Sequence, residues 1–151
     1  HEVVAGAGGT AVPLDTLMAA SDFVSLHARL TPQSTAMIGP REIGLMKPTA
    51  YLINTARAAL VDEEALVRAL EARRIAGAAL DVFATEPLPP ESPLLRLDNV
   101  SLTSHLAGTT RESVERSPRM LVGEIRDYLT GKAPVGIVNP EVLSSARKRK
   151  A

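Results

Sequence analysis

The stretch DEEALVRALEARRIAGAALDVF, residues 62–83, predicts a helix followed at once by a strand. Asp62 is a suitable N-cap, and the two glutamates after it suit the positive end of the helix dipole. Gly77 is predicted to terminate the helix. The next six residues are nearly continuous in apolar side chains, which is typical of a parallel strand buried on both faces. The helix is expected to bury Ala65, Leu66, Ala69 and Leu70 and to carry Arg73 and Arg74 in its last turn.

The same alternation of strand and helix extends in both directions. Pro40 suits the first turn of a helix and Pro48 stops it, whereas Pro118 is expected to kink or break the longest helix. The alternation predicts the α/β class, with an open parallel sheet. The further predicted strands cover residues 10–12, 22–27, 50–54 and 99–104, and the further predicted helices cover residues 14–20, 40–48 and 109–131.

Composition restricts the function. The 151 residues carry no net charge, which argues against nucleic acids and anionic membrane surfaces as partners, and the basic run at residues 147–150 is interpreted as a solvated tail. The chain contains no cysteine, and no two histidines or carboxylates share a helix face at ligand spacing with a third nearby, so we expect no metal site. No signal peptide or membrane span is recognisable, and a cytoplasmic location is the default expectation.

Three predicted loops follow strands at one edge of the sheet. Ligands of open parallel sheets bind just outside the carboxyl ends of the strands. The loops TARAAL, ATEPLPP and SHLAGTT follow three of these ends, and they contain Arg57, Glu86 and His105. Each side chain alone would be an ordinary surface residue, but their shared position favours a functional site.

These three residue types can act together on an organic acid. A guanidinium matches a carboxylate in two parallel hydrogen bonds, and a histidine can transfer a proton near neutral pH. A glutamate bonded to the other ring nitrogen stabilises the imidazolium. The set can therefore bind an acid, polarise its carbonyl and protonate the oxygen. The hydride that completes a reduction would require a nicotinamide cofactor.

The segments that carry these residues resemble a known family. DFVSLHARLTPQSTAMIG, INTARAALVDEEALVRAL, GAALDVFATEP and SHLAGTT are similar to successive signatures of the D-isomer-specific 2-hydroxyacid dehydrogenases, including phosphoglycerate dehydrogenase-like members, over about residues 14–139. The resemblance implies an enzyme that uses NAD or NADP to interconvert a 2-keto acid and a D-2-hydroxy acid. It also implies a partial doubly wound parallel sheet, a Rossmann-like NAD-binding domain.

The resemblance also implies residue roles. Arg57 would bind the substrate carboxylate, His105 would donate and accept the proton, and Glu86 would be its partner; a glutamate there disfavours the formate-specific branch. Asp81 would lie at the nicotinamide end of the cofactor. The other residues that would contact the cofactor are His27, Thr55, Ala56, Arg57, His105, Leu106, Ala107 and Gly108.

The sequence departs from the family in several places. Alanines follow Arg57 where the family has glycine, and they would be strained if that turn requires a positive φ. Ser104 and Arg29 replace prolines. The glycine-rich fingerprint and the acidic ribose-binding residue are absent, and GAGGTAV at residues 6–12 is interpreted as a surface turn.

We therefore expect a domain that lacks its first βα unit, belonging to the C-terminal part of a dehydrogenase. Residues 1–130 are expected to form the partial NAD-binding domain with its long helix, and residues 131–151 a tail that returns toward a missing substrate domain. The chain alone is expected to be inactive.

One alternative from another class stays open at this point. Some relatives of this fold act as NAD-sensing binding modules of the corepressor type. The intact set of arginine, glutamate and histidine favours the enzyme instead. A 2-keto or 2-hydroxy acid is the expected small-molecule partner, without a choice among phosphoglycerate-, glycerate- and lactate-like acids, and a homodimer is expected.

Overall fold

The computed structural model describes residues 6–142 and contains one sheet of four parallel strands. Strand order in the sheet follows chain order. The strands are β1 (Phe23–Leu26), β2 (Tyr51–Asn54), β3 (Gly77–Leu80) and β4 (Val100–Leu102). The helices are α1 (Leu14–Ala20), α2 (Pro40–Leu45), α3 (Glu63–Glu71) and α4 (Arg111–Leu129), with short 3-10 turns at Ala58–Leu60 and Pro93–Arg96. The α/β class and the parallel sheet predicted from the sequence are thus confirmed.

The chain divides between Ala107 and Gly108 into two compact units. The first unit contains the sheet and helices α1 to α3. Within it, one row of residues crosses all four strands at their carboxyl ends: Leu26 lies opposite Asn54, Asn54 opposite Leu80, and Leu80 opposite Leu102. The loops that follow these residues therefore start from one edge of the sheet.

The core lies on one face of this sheet. Leu52 is fully buried in the centre, opposite Val24 and Ala78 in the neighbouring strands. The helices supply Met18, Ile43, Leu66 and Leu70 to the same cluster. Burial of each leucine contributes about 1.5–3 kcal/mol relative to exposure. On the other face, the rings of Phe23 and Tyr51 stack with their centroids 5.6 Å apart, and both remain exposed.

Helix α3 begins as predicted but ends differently. The Asp62 carboxylate accepts a hydrogen bond from the Ala65 amide at 3.0 Å, so the predicted N-cap is confirmed. The prediction that Gly77 caps the helix is wrong. The helix ends at Glu71, Arg73 takes the left-handed conformation with φ 52°, and Gly77 is the first residue of β3.

Gly77 is required by packing rather than by a turn. A Cβ at this position would lie 2.5 Å from the Asn99 carbonyl oxygen and 2.9 Å from a ring carbon of Tyr51. Both atoms come from segments distant in the sequence, which is why the local pattern around Gly77 suggested a helix cap instead.

One further expectation is wrong and another is wrong in part. Residues 10–12 form no strand and are exposed, because three residues before a proline gain nothing without a neighbouring strand to pair with. Helix α4 continues through Pro118, so the expected break does not occur, since proline removes one backbone hydrogen bond and the surrounding turns retain theirs. Thr110 caps this helix: its hydroxyl oxygen accepts from the Ser113 amide at 3.1 Å.

Candidate functional site

The loop after β2 is folded around the side chain of Asn54. This side chain is 2% exposed. Its Oδ1 accepts from the Ala56 amide at 3.1 Å, and its Nδ2 donates to the Arg57 carbonyl at 2.9 Å. The Arg57 side chain is exposed, and its Nη1 donates to the Ala56 carbonyl at 2.6 Å. Ala58 and Ala59, which replace the family's glycine, do not adopt positive φ, so the strain considered from the sequence does not arise.

Glu86 and His105 form a direct pair. His105 Nδ1 lies 2.8 Å from Glu86 Oε2, and the other carboxylate oxygen accepts from the Phe83 amide at 3.0 Å. The hydrogen bond from His105, followed by that from Phe83, holds the pKa of Glu86 below its usual value. Because an ionised carboxylate can only accept, Nδ1 carries the proton and Nε2 is left for another partner. The structure thus brings together the two residues that the sequence placed on separate loops.

Asp81 follows β3 directly and is 2% exposed. Its Oδ1 accepts from the Thr103 hydroxyl at 2.5 Å and from the Leu106 amide at 2.8 Å, while Oδ2 accepts from the Ala107 amide at 2.9 Å. These hydrogen bonds, that of Thr103 foremost, lower the pKa of Asp81. The three donors flank His105, which itself adopts the left-handed conformation with φ 56°. Asp81 therefore holds the His105 loop in place.

The remaining predicted cofactor residues lie around the same edge or begin the second unit. His27 follows β1, is exposed, and its Nε2 lies 2.8 Å from Ser25 Oγ. Thr55 and Leu106 are exposed and Ala56 is half-buried. Gly108 is the first residue of the second unit.

A cavity of about 710 Å³ lies beside the histidine and glutamate pair. Both His105 and Glu86 line it, as do the hydroxyl-bearing Thr103 and Ser104. The rest of the wall is mainly apolar and includes Phe83, Leu88, Leu95, Leu102 and Leu106. The pair thus lies at a boundary between an apolar cavity and solvent.

Sequence reasoning missed the roles of Asn54 and Thr103. From the sequence, Asn54 is only the last residue of a predicted strand, and its hydrogen bonds to the Arg57 loop become visible in the structure. Nothing in the local sequence marked Thr103 as a donor to a carboxylate 22 residues earlier. Within residues 6–142 there is no group of three potential metal-binding side chains, and no helix there is long and apolar enough to cross a membrane.

A parallel sheet with polar side chains collected at its carboxyl edge is the arrangement in which open α/β domains bind their ligands. Residues 2–107 match the sequence profile described as D-isomer specific 2-hydroxyacid dehydrogenase, NAD binding domain. The chain belongs to this family, and its fold is Rossmann-like, as the sequence resemblance implied.

The chain is similar in sequence to other proteins over most of its length. It is 49% identical over 130 residues to a glyoxylate reductase of Thermofilum pendens, which corresponds to 86% of this chain and 38% of that protein. It is 43% identical over 145 residues to the D-3-phosphoglycerate dehydrogenase of a Synechocystis species, covering 93% and 26% of the two chains. The chain spans about two fifths of the length of the glyoxylate reductases it matches.

Solved structures agree on the fold. An acyclic imino acid reductase in complex with NADPH and D-Arg has a TM-score of 0.80 at 36% identity, over 87% of this chain and 41% of that one. An NAD-complexed D-isomer specific 2-hydroxyacid dehydrogenase from Lactobacillus delbrueckii has a TM-score of 0.79 at 36% identity, over 85% and 43% of the two chains.

Proposed function

We propose that this chain supplies the catalytic edge of an NAD- or NADP-dependent oxidoreductase that interconverts a 2-keto acid and a D-2-hydroxy acid. The observation that carries the proposal is the 2.8 Å contact between His105 Nδ1 and Glu86 Oε2, on the same sheet edge as the loop of Arg57. Membership of the dehydrogenase family supports it. No observation favours the corepressor alternative, which we do not propose.

Each residue has a defined task in this reaction. The Arg57 guanidinium binds the substrate carboxylate and so fixes the position of the neighbouring carbonyl. His105 Nε2 donates a proton to the carbonyl oxygen during reduction and takes it back during oxidation. Glu86 is ionised at neutral pH, and the His105 hydrogen bond lowers its pKa further; the carboxylate orients the ring and stabilises the imidazolium. A bound nicotinamide cofactor supplies or accepts the hydride at the substrate carbon.

The nicotinamide end of such a cofactor fits the residues present. A carboxylate oxygen can accept two hydrogen bonds, and Oδ2 of Asp81 accepts only one from the described residues, the Ala107 amide. One acceptor position therefore remains for an amide donor. The proposed cofactor contacts also include residues of the loops after β2 and β4, namely Thr55, Ala56, Leu106 and Ala107. In chain order, His27 is the first and Gly108 the last of the proposed contacts.

The pyrophosphate end has no comparable support. Among residues 6–142, no glycine-rich turn joins a strand to a helix, and Gly6 to Thr10 are exposed. We propose that residues 1–130 act as a partial NAD-binding domain and residues 131–151 as a tail, and that the chain alone binds NAD weakly. We also propose that the chain forms a homodimer, which is tested by measuring its mass in solution by light scattering.

A chimera tests the function directly. In it, this chain replaces the matching 130 residues of the Thermofilum pendens glyoxylate reductase, and NADH consumption is measured with glyoxylate and with larger 2-keto acids. We expect turnover by the chimera and none by the chain alone. A chimera that folds and binds NADH but reduces no 2-keto acid would contradict the proposal. Turnover by the isolated chain would mean that the chain itself binds the pyrophosphate of the cofactor.

A further inference from the structure

Asn54 is a buried polar residue with an unusual position. It is the last residue of β2, and its side chain is 2% exposed among the apolar residues of the core face. Both ends of its amide are engaged by the loop that carries Arg57. Neither the sequence patterns nor the relatives assign this residue a role.

The hydrogen bonds of Asn54 close the Arg57 turn. Oδ1 accepts from the Ala56 amide at 3.1 Å, and Nδ2 donates to the Arg57 carbonyl at 2.9 Å. That carbonyl also accepts from the Leu60 amide at 3.2 Å. The backbone of Arg57 is therefore held from both sides, while its guanidinium is exposed and donates to the Ala56 carbonyl. A long side chain that starts from a fixed backbone loses less freedom when it binds an anion.

The same residue connects this turn to the His105 loop. The Asn54 carbonyl accepts the Asp81 amide at 3.0 Å, and the Asp81 carboxylate holds the amides of Leu106 and Ala107. Asn54 anchors the Arg57 loop and Asp81 anchors the His105 loop, and one backbone hydrogen bond joins these two anchors. The pairing of β2 with β3 therefore holds the anchors of the two loops next to each other.

We propose that Asn54 is a positioning residue that fixes the Arg57 guanidinium for carboxylate binding, an inference that rests on the proposed function. An asparagine suits this position because the turn presents one N–H and one carbonyl to the same side chain. Aspartate could accept from Ala56 but would oppose the Arg57 carbonyl with a second acceptor. Alanine would leave the Ala56 amide without this partner and the Arg57 carbonyl with the Leu60 amide alone.

The 151-residue chain itself allows a test with oxamate, a stable analogue of a 2-keto acid. Its dissociation constant is measured by NMR titration on the Arg57 Nε–H signal, and amide exchange is measured at Ala56 and Leu60. The variants are Asn54→Asp and Asn54→Ala. Ile43→Val is the matched control, since it removes one methyl group from a buried side chain of α2 and lowers stability without touching the turn.

We expect Asn54→Asp to weaken oxamate binding about fivefold or more, because one net hydrogen bond is lost at the arginine turn, while Ala56 stays protected from exchange. Asn54→Ala should weaken binding similarly and also accelerate exchange at Ala56. The control should leave both quantities unchanged. A dissociation constant within twofold of wild type in both Asn54 variants, with their spectra showing a folded chain, would overturn the proposal.

The exchange data separate this inference from the proposed function. If the wild-type chain binds no oxamate, the carboxylate step of the proposed function is tested by the chimera instead, and amide exchange alone decides whether Asn54 holds the turn. Unchanged exchange at Ala56 and Leu60 in Asn54→Ala would then overturn the role of Asn54.

Discussion

The loops of Arg57 and His105 are both held by a buried side chain at the end of a strand, but the two side chains differ in charge. The Arg57 turn offers one N–H and one carbonyl, and a neutral amide, Asn54, satisfies both. The His105 loop offers three donors, from Thr103, Leu106 and Ala107, and a carboxylate, Asp81, accepts all three. We call Asn54 and Asp81 the braces of the two loops. Each brace has the charge that suits the groups that its loop presents.

This difference has consequences for pH dependence and strain. An amide brace does not titrate, whereas the Asp81 brace depends on ionisation. The Arg57 turn also contains no left-handed residue, while His105 itself has a φ of 56°. The arginine is thus carried by a relaxed turn and the histidine by a turn that needs its charged brace.

The largest expected effect concerns the side chain that the relaxed turn presents. In the chimera, Arg57→Lys should lower kcat/KM about ten- to a hundredfold, since a point charge replaces a bidentate fork and loses a charge-assisted hydrogen bond of about 1.5–3 kcal/mol. Steady-state kinetics with glyoxylate measure this. Arg68→Lys, an exposed change on α3, is the control. If the Arg57 variant and the control had equal kcat/KM, Arg57 would not bind the substrate carboxylate.

The second expected effect concerns the histidine loop. Glu86→Gln keeps the size of the side chain but removes the charge that stabilises the imidazolium. The pH profile of kcat/KM for reduction in the chimera should then change, because the carboxylate whose pKa is lowered by its hydrogen bond with His105 is gone. The profile is measured alongside that of Glu91→Gln, a variant in the same loop, as the control. Identical profiles for all three proteins would show that the charge of Glu86 does not act on the histidine.

The third expected effect separates the two braces by acid. The pKa of Asp81 is lowered in the folded chain, so its stabilisation is present above its unfolded pKa of about 3.9 and is lost as pH falls through the lower folded value. The free energy of unfolding should fall over this range, and Asp81→Asn should be less stable at neutral pH with a flatter slope in acid. Denaturant unfolding at several pH values measures both quantities.

The control for the acid slope is Asp22→Asn, an exposed aspartate that pairs with Lys47. It should keep the slope of the wild-type chain. An Asp81→Asn variant with an unchanged slope would mean that the charge of the brace contributes nothing, and the contrast with Asn54 would then disappear.

Two kinds of feature were predictable from the sequence. Some depend on neighbouring residues in the chain, and others follow from the binding of ligands at the carboxyl ends of parallel strands. The Asp62 cap depends on residues within one helical turn, and Glu86 and His105 were placed at one edge because both follow parallel strands. The packing of Gly77 against Asn99 and Tyr51 depends on contacts between distant segments, so its role was misassigned.

The two braces illustrate the same limit. Asp81 was assigned to the cofactor by resemblance alone, while its three internal donors lie 22 to 26 residues further along the chain. Asn54 acts on residues two and three positions away, but a single asparagine after an apolar strand also begins many ordinary loops. Only the closed geometry of the turn distinguishes the two cases.

The smallest expected effect tests whether the arginine turn is relaxed. Ala58→Gly restores the family's glycine but should not stabilise the chain, because φ at this position is not positive, and the added flexibility of the unfolded chain should cost about 0.5–1 kcal/mol. Ala36 has a φ of 51°, so Ala36→Gly is the matched comparison: it releases left-handed strain of about 1–2 kcal/mol against a similar entropic cost. Denaturant unfolding of both variants should therefore rank Ala36→Gly as the more stable. If Ala58→Gly were instead the more stable, the arginine turn would be strained, and its difference from the histidine turn would lie in the brace alone.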